Sequence, residues 1–319
     1  MTADECVAQA MENGLKNIMS ELEESRQKML GTNRTIVMWV TGFTVAVSGW
    51  LFVIQMNWIV LAMTAFVGLV VGVIITSRRS GKAGNEFKYR AIPELLRHVM
   101  PDFRYCCGGY VEQGEFTATG LFVAPDRYSG KDYFEGYVDK TNMHFSLVHA
   151  EERYEITTTV TDEDGHTTTR TEEHWRDIFK GLLFKADFNK HFYGCTVVRS
   201  GKAGLLSGFS RTLVKLEDPR FNSCFTVYSN DQVEARYLLT PKMMEQFVGL
   251  QESIGGFEAS FCGSTINIAA GGFPYDAFEP DVKLSCTNQE QLSRILGWIF
   301  TVANIVEDLD LNTRIWTKG

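Results

Sequence analysis

From Thr35 to Ser77 the sequence contains no Asp, Glu, Lys, Arg or His, although the chain as a whole is 22% charged. At that fraction about nine charges would fall in such a stretch, so the gap marks a segment built for a solvent other than water. It divides at Gln55-Met56-Asn57 into two apolar runs, Ile36 to Ile54 with 19 residues and Trp58 to Ile75 with 18. At ~1.5 Å per residue these reach about 28 and 27 Å, close to the ~30 Å hydrocarbon core of a bilayer. Each predicts a membrane-spanning helix. The alternative, a helical hairpin buried in a soluble domain, calls for a polar face toward water, and neither run has one. A polar, acidic segment precedes the first run, which argues against a signal peptide.

The pattern inside the hairpin agrees. Gly68 and Gly72 form a G-x-x-x-G on the second helix, with Ala62 and Ala65 earlier on it; small residues let helix backbones approach where lipid removes the hydrophobic drive. Trp58 opens the second helix at an interfacial position, and Trp39 and Trp50 lie near the ends of the first. Lys28 and Arg34 precede the hairpin and Arg78, Arg79, Lys82, Lys88 and Arg90 follow it, while the loop is uncharged. The positive-inside rule then places both chain termini in the cytoplasm of a multi-pass protein. The expected organisation is a helical arm over residues 1–34, a transmembrane hairpin over 35–77 and a cytosolic domain over 78–319.

In the arm, residues 3–31 read as a helix carrying Met11, Leu15, Ile18, Leu22 and Met29 at alternating three- and four-residue steps. Such a short stripe serves either a coiled coil that assembles subunits or a helix docked on its own domain. The formal net charge of -8 argues against nucleic acid, which needs clustered cations. Seven cysteines, an odd number without a C-x-x-C pair, suit unpaired thiols in a reducing compartment.

Beyond the hairpin the elements are mixed. A helix is expected over residues 85–100, interrupted near Pro93 and stopped by Pro101. Strands are expected over 132–138 and 143–149. Tyr154 to Thr161 and His166 to Trp175 then form a hairpin about Asp164-Gly165, with Glu163 facing His166 and Tyr154 facing Trp175, a solvated Thr-rich tip and a buried aromatic base. Asp162, Asp164 and His166 lack the remaining ligands of a calcium loop. Strands at 192–198 and 213–216, a helix from Ser229-Asn230-Asp231 to Leu239 and another opened by Thr240-Pro241 follow. Two short strands near 257–262 and 265–270 precede a closing amphipathic helix, for which Thr287 and Glu290 make a capping box. Strands and helices without βαβ rhythm give an α+β domain with a mixed, mainly antiparallel sheet.

The segment Leu216-Glu217-Asp218 through Phe225-Thr-Val-Tyr228-Ser to Glu234-Ala235-Arg236-Tyr237 and Thr240-Pro241 resembles the bacterial domain-of-unknown-function 3137 family. Phe184-Lys-Ala-Asp-Phe188, Phe192-Tyr-Gly194 and Asp132-Tyr-Phe-Glu-Gly136 follow the same pattern, and the likeness covers roughly residues 85 to 270. The resemblance implies a bacterial inner-membrane protein with two N-terminal membrane helices, and for some members association with LemA-type membrane proteins. It transfers no activity.

Glu234, Arg236 and Tyr237 lie around a helix start. They form either a recognition surface for a partner or an ion pair orienting this helix on the sheet. Catalytic, cofactor and metal signals are weak throughout. The two Ser-Gly-Lys-Ala-Gly stretches (80–84 and 200–204) have Ala where a phosphate loop needs Ser or Thr, and Thr76 and Thr196 where it needs glycine. No G-x-S-x-G or H-E-x-x-H occurs. His191 and Cys195 read as a surface histidine and a buried thiol, and His144 and His149 fall on opposite strand faces. The leading expectation is a membrane-anchored interaction or scaffold domain that binds a protein partner or a second copy of itself. A membrane-tethered enzyme such as a hydrolase, or a subunit of a membrane complex, is the alternative.

Overall fold

The computed structural model describes residues 2–55, 58–161, 167–200 and 212–311. The fold is α+β and divides into two compact units, Met1–Pro101 with Glu279–Leu296, and Asp102–Phe278 with Gly297–Gly319.

The first unit is built on two long helices. After α1 (Ala3–Ala10), capped by Thr2 and Glu5 in a capping box, come a π-helical turn (Met11–Leu15), α2 (Lys16–Gln55) and α3 (Trp58–Val99). The arm is therefore not one helix: Gly14 takes φ 121°, which breaks the register at Asn13-Gly14. In contrast α3 runs unbroken through Pro93. A proline in a helix interior costs ~3 kcal/mol, but Ala91, Ile92, Leu95 and Leu96 around it are fully buried, and that burial outweighs the loss.

Only 6% of the apolar stretch of each of α2 and α3 is buried, with Trp39 at 75% and Phe43 at 72% exposure. A hairpin inside a soluble core would bury these side chains, and here they are exposed. The two helices are long and apolar enough to cross a membrane. The Ser48 and Thr64 hydroxyls lie 2.5 Å apart between them. A Cβ on Gly68 would collide with the Thr44 side chain, whereas one on Gly72 would meet only Val40, at 3.8 Å.

The charged parts of the same helices form a small core. Leu15, Met19 and Leu22 are buried, as are Phe87 and Leu95 of α3, and the two helices pack together. Arg90 pairs with Glu21 at 2.5 Å. Glu23 accepts from Arg26 at 2.7 Å and from the Cys286 backbone N–H at 2.8 Å, while Arg26 also donates to the Val282 carbonyl. Lys88, 2% exposed, reaches Glu279 at 2.9 Å. Of the arm's apolar stripe, Leu15 and Leu22 are buried inside the chain, while Met11, Ile18 and Met29 are half-buried.

Among the described residues the second unit holds a seven-stranded sheet in which every pairing is antiparallel: β1 (Arg104–Cys106), β2 (Arg127–Val138), β3 (Thr141–Thr161), β4 (Thr167–Ser200), β5 (Thr212–Val214), β6 (Phe225–Ser229) and β7 (Glu258–Ala270). The order is β1-β2-β3-β4-β6-β5, with β7 also paired to β4. Alternation sends Val148, Ala150, Leu183, Val197 and Ala269 to one face, where Val111, Leu121 and α4 (Gln113–Ala118) with Phe116 cover them. Elsewhere Phe134 stacks on Phe145 and meets Phe278, and Phe225, Phe247, Phe257 and Phe261 form a continuous aromatic cluster. The remaining helices are α5 (Pro219–Cys224), α6 (Gln232–Leu238), α7 (Pro241–Ile254), α8 (Gln289–Ala303) and α9 (Ile305–Asp308).

Strands β3 and β4 continue past the sheet. Beyond Glu151, the last residue paired with β2, they pair alone to Thr161↔Thr167, a ribbon of about 30 Å at ~3.3 Å per residue. Its register differs from the expected one: Tyr154 faces His174 and Arg153 faces Trp175. A two-residue turn at Asp164-Gly165 would pair Tyr154 with Trp175, one residue away from the register observed. That one-residue slip reassigns every partner. The tip, including Asp162, Asp164 and His166, lies outside the described residues. The aromatic base is stacked instead of buried: Arg127 lies 3.4 Å over the Trp175 ring, and Tyr154, 39% exposed, stacks on His174.

Two further expectations need correction. The strands near 257–262 and 265–270 are one strand, β7, with Gly263 at φ 65° within it. The closing helix is capped by Asn288, whose side chain accepts from the Glu290 N–H at 2.8 Å; Thr287 bonds Ser285 instead.

Candidate interaction surface

Late in β4 the ladder with β7 becomes irregular. Cys195 pairs with Cys262, Phe192 with Gly263 and Asp187 with Thr265, so one strand carries extra residues on both sides of Phe192. Bulges leave backbone donors without ladder partners, and here side chains supply them. Glu234 of α6 accepts from Tyr193 N–H at 3.2 Å and Gly194 N–H at 2.9 Å. Asn230 accepts from Cys195 N–H at 2.7 Å. Gly194 is required by this closeness, since a Cβ there would sit 2.6 Å from the Asn230 oxygen.

Helix α6 is placed by its own cap. Asp231 accepts from Val233 and Glu234 N–H, each at 2.9 Å, satisfying first-turn donors and complementing the dipole. Thr240 does the same for α7 through Met243 N–H. The three residues singled out in the sequence therefore have different roles. Glu234 is a backbone clamp whose carboxylate is turned to β4. Arg236 turns to Gln232 on its own helix. Tyr237 faces outward, 56% exposed, with Lys190 Nζ 3.9 Å over its ring.

Around the clamp the surface is aromatic and apolar. Tyr193 is 93% exposed and Val233 78%, and Val233 and Tyr237 share one helix face at i, i+4 spacing. His191 stands edge-on to Tyr193 at 5.5 Å and touches Ser264. Desolvation pulls the Lys190 amine below its ordinary pKa, against the opposing charge of Glu234. Beneath lie Phe188 and Phe192, both buried and in contact with Phe261. Cys195 is not a buried free thiol: it is bonded to Cys262.

Other titratable clusters of this unit act as structural ties. Glu115 on α4 accepts at 3.0 Å from Lys185 and lies 3.0 Å from His144, joining α4 to two strands. Buried Asp132 accepts from Tyr105 at 2.5 Å, and burial followed by the charge of Asp132 pushes that phenol far up. His149, Glu151 and Asp177 bring ligand atoms within 4.8 Å of one another. His149 is already 2.7 Å from Asp177, however, and Lys131 and Lys180 flank the Tyr275 ring that abuts it. That positive charge opposes a bound cation.

The family described as protein of unknown function, DUF3137, matches residues 177–311. The DUF3137 region takes in the Phe184–Phe188, Phe192–Gly194 and Glu234–Tyr237 segments, and two apolar N-terminal helices lie outside it. It begins later and ends later than the likeness expected at 85 to 270, and Asp132–Gly136 falls outside it. No curated protein matches the chain. Among solved structures, the crystal structure of the mycobacterial trehalose monomycolate transport factor A, TtfA, aligns at 9% identity over 65% of this chain and 88% of that one, with a TM-score of 0.35. At that score the likeness carries no argument about fold or function.

Proposed function

We propose that this protein is a membrane-anchored interaction module: the α2–α3 hairpin crosses the bacterial inner membrane twice, both termini are cytoplasmic, and the sheet unit binds a protein partner through the surface around Glu234. The carrying observation is Tyr193 at 93% exposure, beside Val233 and Tyr237, on a strand and helix held together by the Glu234 clamp. Aromatic side chains presented on a rigid frame are what protein interfaces enrich, because they bury large area at small entropic loss. The basic residues flanking the apolar runs and the uncharged loop support the orientation.

A membrane protein of the LemA type is the first partner to test. A photoreactive amino acid placed at Tyr193 in cells should give a discrete cross-linked species that contains such a protein and disappears in a Val233→Ser/Tyr237→Ser background. Absence of that species, with normal membrane levels of the protein, would overturn the reading.

A further inference from the structure

We propose that Cys195 and Cys262 are a reversible redox couple, a modification site whose oxidation state sets the order of the bulged segment 188–194. The two residues are direct partners across β4 and β7, with Cα atoms 4.5 Å apart. That separation is the ordinary one for a closely spaced antiparallel pair and also lies within the range a disulfide spans. The backbone therefore accepts two thiols or one disulfide without moving. Both residues are half-buried, so a small thiol can reach them.

Selectivity is visible in the other cysteines. Cys6, Cys106, Cys107, Cys224 and Cys286 form no disulfide, and Cys106 among them is exposed. A unit facing a reducing compartment holds such thiols reduced, and a disulfide there is transient and regulatory. Location gives the pair its consequence. It is the last regular rung before the ladder shifts at Phe192 and again before Asp187. With the bond open, the segment between is held by the Glu234 and Asn230 hydrogen bonds, the His191–Ser264 and Lys190–Tyr237 contacts and the packing of Phe188 and Phe192, without the covalent tie at its end.

The chemistry is thiol–disulfide exchange with a low-molecular-weight disulfide. One cysteine thiolate attacks a sulfur of that disulfide, forming a mixed disulfide and expelling one small thiolate. The second cysteine attacks the protein sulfur of the mixed disulfide and expels the other. The protein loses two protons and two electrons as Cys195 and Cys262 join; the small disulfide gains them as two thiols. Reduction is the same sequence reversed.

This inference rests on the cytoplasmic placement proposed for the sheet unit but not on its surface binding a partner, and its test involves no partner. Full-length protein in detergent micelles is equilibrated in a series of reduced to oxidised glutathione ratios, quenched with acid and alkylated with a mass-tagged maleimide. Two thiols, mapped to Cys195 and Cys262, should disappear together with a two-electron dependence, and Cys262→Ser should leave no paired transition. Amides of residues 190–194 in the unsubstituted protein should exchange about tenfold faster when reduced. Two thiols that stay independently alkylatable across the series, or a crosslink that survives its most reducing end, would overturn the couple. Equal exchange in both states would overturn its role in ordering the bulge. Because the reduced unsubstituted protein is itself compared, the outcome does not depend on a variant folding.

Discussion

Replacing Glu234 by Ala should loosen one short segment of backbone far more than replacing its neighbour Arg236. Glu234 accepts from two consecutive N–H groups, Tyr193 at 3.2 Å and Gly194 at 2.9 Å, and neither donor sits in the regular part of the ladder. A hydrogen bond to a charged group contributes ~1.5–3 kcal/mol. The carboxylate is only half-buried, so water recovers part of the loss and the pair together is worth about 2 kcal/mol. Arg236 hydrogen-bonds its own helix from an exposed position, and its truncation should change stability by no more than ~0.5 kcal/mol. Hydrogen exchange of the full-length protein in micelles reads the difference. At ~1.4 kcal/mol per factor of ten, the Tyr193 and Gly194 amides should exchange about 30-fold faster in Glu234→Ala. Glu234→Gln, which keeps one acceptor, should fall between, and Arg236→Ala should match the parent. Equal exchange in Glu234→Ala and Arg236→Ala would refute the clamp.

Two further perturbations address the first unit. The Arg26 hydrogen bond holds the Glu23 carboxyl at about 2, against an ordinary 4.5. A depressed acid stabilises the fold fully above its unfolded value and loses that contribution as pH falls through the folded one. Stability measured from pH 5 down to 2 should therefore decline, Glu23→Gln should remove that component, and an unchanged slope in the variant would contradict the pairing. In the apolar hairpin, Gly68→Leu should lower the thermal midpoint of helical circular dichroism in micelles by the equivalent of ~1–3 kcal/mol, because even a methyl group there collides with Thr44. Gly72→Leu should be milder, since a Cβ at that position would lie 3.8 Å from Val40; the reverse ranking would contradict the packing.

What the sequence exposed and what it hid divide along physical lines. The charge-free hairpin was legible because solvent preference is written residue by residue along one dimension. The caps of α6 and α7 were legible because Asp231 and Thr240 bond donors two or three residues away. Cys195 and Cys262 are 67 residues apart, and nothing local to either marks the other. Glu234 read as part of a recognition surface or of an ion pair orienting its helix, whereas its acceptors serve backbone 40 and 41 residues earlier, at a bulge that no local periodicity announces. The ribbon's register was hidden because alternation of Thr and charged residues reads the same after a slip of one strand against the other. Asn288 displaced Thr287 as a cap for the opposite reason: two capping residues stood side by side, and either would have suited the pattern.

The hairpin is expected to cross a bilayer with both ends on the cytoplasmic side. In intact cells opened only at the outer envelope, a membrane-impermeant maleimide should label a cysteine introduced by Asn57→Cys, in the connection between α2 and α3. The exposed native Cys106 should react only after the inner membrane is lysed. Labelling of Cys106 from outside, or equal labelling of both sites in protein recovered from the soluble fraction, would contradict it.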